Sequence, residues 1–288
     1  YHQALSRARR ALLQERVDVV VSVGGFTAVP VIRAAANMGI PCITHQLDRL
    51  PGLANRFVAD RCERVTSSFA YATSPFGREV PIEQIPTPTR FTLADIPARS
   101  QALRQLGLSL QKPTILCMGG GTGAQALNAL VRDQAASWVA RGWQVMLIAG
   151  RGKTIEGLDA NMVLQKEFCS PEEMRLFYAA TDVLVCRAGM GTLSEAVALR
   201  KPLVLVPIPE SHQELNARAF AEAEAAIVLD QRDPGFVSRV EQAIARYLTD
   251  QAFAHLATGR LSRVLSVDQG EVLAEIVWDA ARRHQGAV

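Results

Sequence analysis

Short apolar runs alternate with longer stretches of helical period along most of this chain. In the first third, runs at 17–23, 40–45 and 64–68 predict strands, and stretches at 2–15, 28–38 and 51–62 predict helices beside them. Helix 2–15 places Leu5, Ala8, Leu12 and Leu13 on one side and its arginines elsewhere. Segment 81–98 breaks the rhythm: Pro81, Pro86, Pro88 and Pro97 leave little periodicity, and it reads as an interdomain connection. A second series follows. Strands are predicted at 114–118, 143–149, 163–168, 182–185, 202–207 and 226–229, and helices at 101–108, 124–140, 171–180 and 212–225, with another through 196–199. Three more helices near 233–247, 250–259 and 268–284 close the chain. Apolar strands that alternate with helices build parallel sheets from βαβ units. The prediction is an α/β chain of two doubly wound, Rossmann-like domains. The first series opens on a helix, so the first domain is expected to lack its initial βα segment.

Composition narrows the classes. At 288 residues, 49% hydrophobic and 20% charged, the chain can bury two cores. A formal charge of +3 is too mild to argue for nucleic acid. The five cysteines show no metal or C-x-x-C spacing; Cys42, Cys117 and Cys186 sit in apolar runs and read as small buried hydrophobes of a reducing compartment. No apolar run approaches the ~18 residues of a membrane span, and no secretory signal pattern is visible.

Candidate chemistry concentrates where strands turn on glycine into helices. Cys186-Arg187-Ala188-Gly189-Met190-Gly191-Thr192-Leu193-Ser194-Glu195 follows the apolar run 182–185. Free N–H groups and the helix dipole there suit a phosphate, Gly189 and Gly191 allow close approach, and Glu195 is placed to accept from sugar hydroxyls. The same pattern equally fits an ordinary helix start with an acidic first turn. Gly119–Gly123 is a second candidate cradle, with Thr122 as a hydroxyl donor, or simply a tight βα turn. Gln213 and Asn216 share a helix face and suit sugar hydroxyls, or Ser211 merely caps a solvated helix start. His45, Asp48 and Asn55 follow a strand end, where such groups touch a substrate or satisfy loop backbone. Arg90 in the Pro-rich connection reaches a diphosphate or base, or is a surface cation. Catalytic triads, paired catalytic carboxylates and metal clusters are absent from the sequence pattern.

Taken in order, Val23-Gly24-Gly25-Phe26, His45-Gln46-Leu47-Asp48 with 51–56, Pro88-Thr89-Arg90, 119–128, Glu167-Phe168, 186–195 and 212–217 resemble the MurG family of glycosyltransferases, over about 17–231. The resemblance implies a two-domain GT-B fold. Its first domain would be 1–91, with 268–288 packing back on it, and its UDP-sugar domain 92–267. It implies inverting transfer of N-acetylglucosamine from UDP-N-acetylglucosamine to the undecaprenyl-linked precursor lipid I, giving lipid II, without cofactor or metal. By position, Arg90, Gly121, Thr122, Cys169, Gly189, Met190, Gly191, Thr192, Leu193, Ser194, Glu195, Gln213 and Asn216 would bind the donor. Gly25, His45, Asp48 and Asn55 would lie on the acceptor side. The family's first Gly-rich loop, with its proposed base His, precedes this chain's matching residues, which leaves His45 and Asp48 as candidates for the base.

The usual His-Glu-Gln-Asn reads His45-Gln46-Leu47-Asp48 here, and the usual Gly-Gly-Ser-x-Gly reads Gly119-Gly120-Gly121-Thr122-Gly123. Two other readings stand beside the first: a related GT-B transferase with another lipid acceptor, and a non-catalytic UDP-sugar-binding subunit that needs a partner. A lipid-linked acceptor implies peripheral attachment at the cytoplasmic face of the membrane. Leu53, Phe57 and Val58 beside Arg56 and Arg61, with Arg7, Arg9 and Arg10, suit an anionic surface, or an ordinary core face with solvated arginines.

Overall fold

The apolar runs of the first third fold into a four-stranded parallel sheet in the computed structural model, which describes residues 1–76, 80–120 and 124–287. The chain runs through α1 (His2–Gln14), β1 (Val20–Ser22), α2 (Ala28–Asn37), β2 (Cys42–Gln46), α3 (Leu53–Val58), β3 (Arg64–Ser67), β4 (Glu83–Gln84) and β5 (Thr87–Pro88). The sheet order is β1-β2-β3-β4, every pair parallel. Segment 81–98 is therefore more than a connection, because β4 extends this sheet. Strands of two residues carry no period, which is why the pattern reads as irregular.

The second series gives α4 (Arg99–Gln105), β6 (Thr114–Met118), α5 (Gln125–Ala140), β7 (Gln144–Ile148), β8 (Val163–Lys166), α6 (Pro171–Ala180), β9 (Val183–Cys186), α7 (Met190–Ala198), β10 (Leu203–Leu205), α8 (His212–Glu222), β11 (Ile227–Val228), α9 (Phe236–Thr249) and α10 (Gln251–Val264). Its strands form a six-stranded sheet, β11-β10-β9-β6-β7-β8, again parallel throughout. All residues of β6 and β9 are buried, as strands covered on both faces must be. The strand order reverses between β6 and β9, where a doubly wound sheet opens a crevice at its carboxyl edge. The tail, β12 (Val267–Asp268) and α11 (Glu271–Ala287), returns to the beginning: β12 pairs with β5. The chain thus divides into two units, 1–88 with 265–288, and 89–264.

Alternation along β2 assigns its faces. Cys42 packs with Leu12, Ile32, Ala35 and Val58 from the first helices, whereas Ile43 packs with Ile85 and with Ile276 and Ala280 of α11. Full burial of an isoleucine such as Ile32 or Ile43 contributes about 1.5–3 kcal/mol. Two side chains depart from the expected faces. Leu13 lies 59% exposed while Leu12 is buried, and Val58 is fully buried in the core rather than beside Leu53 and Phe57. Among the described residues no helix is long and apolar enough to cross a membrane.

Candidate functional site

At the β6–β9 switch point of the second unit lies a pocket of about 490 Å³. The turn after β6 contributes Gly119 and Gly120. The exit of β8 contributes Glu167, Phe168 and Cys169, and the exit of β9 contributes Arg187, Gly189, Met190, Gly191 and Thr192. Arg90, Met118, Ile148, Met174, Glu195 and Gln213 complete its wall. The helix behind the glycines begins at Met190, earlier than its apolar stretch 196–199 suggests, so Glu195 stands about one and a half turns in. Gly189 is the N-cap, and among the described residues no side chain caps this terminus. By contrast, Ser170 and Ser211 cap α6 and α8 through hydroxyls that accept from Glu173 N and Gln213 N. A helix start without a side-chain cap offers its first-turn N–H groups and dipole to an anion. Among the described residues, and apart from chain neighbours and the helix's own backbone, a Cβ at Gly191 would meet no atom within 4 Å, and one at Gly189 only Gln213 Nε2 at 3.8 Å. The fold itself does not demand glycine there, so the space left free belongs to the pocket.

Glu195 is 3% exposed, and both carboxylate oxygens are held. Arg90 Nε donates to Oε1 at 2.6 Å, and the Tyr178 phenol donates to Oε2 at 2.7 Å. The hydrogen bond to Glu195 raises the Arg90 pKa further. Burial, and then Glu195, lift Tyr178 well above the ordinary phenol range, so it stays a donor. Arg90 also lies over the Phe91 ring at 5.2 Å. Arg187 Nη1 donates to the carbonyls of Val206 and Pro207 at 2.8 and 3.0 Å and ties the β10 exit to the β9 exit. Its buried Nε has no partner among the described residues, and burial lowers its pKa. Burial pushes the Cys169 thiol up to about 12, which removes it as a thiolate nucleophile at neutral pH.

Of the donor-side residues expected from sequence, Arg90, Cys169, Gly189, Met190, Gly191, Thr192, Glu195 and Gln213 meet on this wall. Three are placed behind it. Leu193 is fully buried in the α7 core face, and Ser194 Oγ donates to Gly191 O at 3.1 Å. Asn216 is also fully buried; its amide donates to Ala188 O at 3.1 Å and supports the glycine turn from behind. Gly121 and Thr122 lie outside the described residues. Two participants escaped the sequence reading. Arg187 sits inside the quoted motif, and its place directly after a buried strand was the signal available. Tyr178 follows Phe177 in a helix whose apolar face already accounts for it.

The acceptor-side expectations fare differently. His45 was expected at a strand end facing a cleft, and this is corrected: it is 0% exposed, on the α11 side of the first sheet. Its Nδ1 lies 2.9 Å from Thr66 Oγ1 and its Nε2 3.3 Å from Ser68 Oγ. Burial holds its pKa down at about 4, against a smaller opposing effect of Asp268. Asn55 is 4% exposed and turned inward. It donates to Gln46 Oε1 at 2.7 Å and accepts from Thr44 Oγ1 at 3.2 Å. Gln46 donates in turn to the carbonyls of Asp48 and Leu50. Asp48 is half-buried, and its carbonyl also accepts from the Tyr71 hydroxyl. Gly25 carries a positive φ of 94° in an open turn. Gly24 packs so closely on Asn55 that a Cβ would lie 3.2 Å from Oδ1. Among the described residues no group of three or more His, Cys, Asp or Glu is placed to hold a metal ion.

Comparison with known proteins follows the same division. The model for the glycosyltransferase family 28 C-terminal domain matches residues 114–260, and that for the N-terminal domain matches residues 2–67. A protein of Paenarthrobacter aurescens named UDP-N-acetylglucosamine–N-acetylmuramyl-(pentapeptide) pyrophosphoryl-undecaprenol N-acetylglucosamine transferase is 34% identical over 80% of this chain, which spans 63% of that relative. The Bacillus subtilis protein of the same name is 31% identical over 88% of this chain and 72% of its own length. Among solved structures, MurG of Acinetobacter baumannii aligns with a TM-score of 0.71 at 22% identity, over 96% of this chain and 78% of that one. The UDP co-structure of Staphylococcus aureus MnaA aligns at 0.69 and 11% identity, over 98% and 78%. The fold is α/β with parallel sheets in two domains, of the GT-B kind.

Proposed function

The chain belongs to glycosyltransferase family 28, and from that premise we propose that it moves N-acetylglucosamine from UDP-N-acetylglucosamine to lipid I, forming lipid II with inversion at the anomeric carbon. The observation that carries the reading is one pocket holding both the uncapped start of α7 and the carboxylate of Glu195. The first suits a diphosphate and the second suits ribose hydroxyls. Gln213 and Thr192 add donors and acceptors on the same wall. Neutralising the phosphates there stabilises the UDP leaving group as the glycosidic bond breaks. The acceptor hydroxyl needs a base. Fully buried His45 does not serve; Asp48, half-buried on the acceptor side, is the carboxylate we assign to that task.

Family membership and the names of the relatives support the lipid acceptor. Exposed Leu53 (60%) and Phe57 (67%), four residues apart on α3 beside Arg56 and Arg61, support peripheral attachment to an anionic membrane at its cytoplasmic face. The departure at Gln46-Leu47-Asp48 favours a second reading, transfer to another lipid acceptor. The chain is incubated with radiolabelled UDP-N-acetylglucosamine and lipid I in anionic vesicles that also hold diacylglycerol, and label found on lipid II, however slowly it accumulates, supports the reading. Label on diacylglycerol instead would overturn the acceptor assignment and keep the donor. Failure to bind UDP would overturn the donor assignment itself.

A further inference from the structure

The two oxygens of Glu195 are held in unlike ways. Oε1 is held by Arg90, whose side chain is 58% exposed. Oε2 is held by Tyr178, which is fully buried in α6 and does not line the pocket. A long arginine at a surface can exchange its partner for solvent or ligand; a buried phenol cannot. Tyr178 is fixed further by an edge-on contact with Phe91, their ring centroids 6.2 Å apart. Among the described residues its only other polar approach is to Met118 Sδ at 4.0 Å, a weak acceptor, so the carboxylate is what its hydroxyl serves. At 2.7 Å the bond has the length of a charge-assisted one.

An ionised carboxylate offers about four acceptor positions. With Tyr178 and Arg90 taking two, two remain, and Tyr178 decides from behind which way they point. Two acceptor positions held at one orientation match two adjacent hydroxyls on a ring. We propose that Tyr178 is the positioning residue that aims Glu195 at a ribose diol, and that this bond gives the pocket its preference for a ribonucleoside diphosphate over the 2′-deoxy form. The inference rests on the donor-site reading above and deepens it.

The test is calorimetric titration of the full chain with UDP and with 2′-deoxy-UDP. The unaltered chain is expected to prefer UDP by roughly tenfold or more, about the worth of one hydrogen bond to a charged group. Tyr178→Phe keeps the ring and its packing and removes one oxygen. It is expected to weaken UDP about tenfold, leave 2′-deoxy-UDP nearly unchanged, and so bring the ratio close to one. Glu195→Gln is expected to lose the preference too, and adding Tyr178→Phe to it should change the ratio no further. General damage to the pocket would weaken both ligands alike, and that result overturns the inference. So does a preference for UDP that survives in either single variant. If the unaltered chain binds no UDP, the donor-site reading falls and this inference falls with it; if it binds UDP and the ratio stays put in the variants, only the inference falls.

Discussion

Glu195 and Asn55 make an instructive pair. Each is a polar residue on a helix that follows a parallel strand, each is nearly buried, and each holds two hydrogen-bond partners. Around Glu195 the partners stand behind or beside it and the carboxylate remains on a pocket wall. Around Asn55 the partners close on one another: Thr44 reaches Asn55, Asn55 reaches Gln46, and Gln46 reaches the carbonyls of Asp48 and Leu50. The first arrangement keeps acceptor capacity for something that arrives. The second spends its capacity fixing the loop that follows β2. A polar side chain at the carboxyl end of a strand is therefore not by its position a ligand contact; what its neighbours leave unsatisfied decides.

The sharpest way to test the inward-turned side is pH. His45 is held near 4 in the folded chain against an ordinary 6.5. Between those values the unfolded chain takes up a proton that the folded chain refuses. Its contribution is complete above pH 6.5 and is lost as pH falls toward 4, on the order of 3 kcal/mol in all. Urea unfolding across that window, compared with His45→Gln, is expected to show the difference disappear with the titrating ring. Equal slopes in both proteins would mean that His45 is not held neutral.

The outward-facing side comes next. Glu195→Ala removes a charged acceptor from the pocket and strands both Tyr178 and Arg90. UDP affinity is expected to fall by about 1.5–3 kcal/mol, as losing a hydrogen bond to a charged group costs. Titration calorimetry measures it, and an unchanged affinity would put Glu195 outside the binding site. The smallest effect, and the one that separates the two regions most cleanly, is Asn55→Ala. It leaves Thr44 and Gln46 short of partners and is expected to cost about 2 kcal/mol of stability in denaturant unfolding while UDP affinity stays unchanged. A large loss of UDP affinity instead would erase the contrast between the two regions.

How much of this was readable beforehand follows from what leaves a mark in one dimension. The parallel sheets were legible because strands buried on both faces, such as β6 and β9, read as unbroken apolar runs. The Gly189–Glu195 turn was legible because glycines between a strand and a helix are a local signal. Tyr178 was not, since a tyrosine on the apolar face of α6 looks like core until its hydroxyl is seen on Glu195, seventeen positions away in sequence. The inward turn of His45 was not either. Alternation says that neighbours in a strand face opposite ways, but which face meets α11 depends on a helix more than two hundred residues later. Strands β4 and β5, two residues each, are too short to have any period.

That late helix has a consequence for how the protein is made. Ile43 and Ile85 are covered by Ile276 and Ala280 of α11, and β5 finds its parallel partner only in Val267–Asp268. Synthesis proceeds from the amino terminus, so the first sheet leaves the ribosome with one face bare and waits while all of 89–264 is translated. The second unit, contiguous in sequence, has everything it needs as soon as α10 emerges. The later-born half therefore has all its strand partners in hand at a point when the earlier-born sheet still lacks α11 and β12.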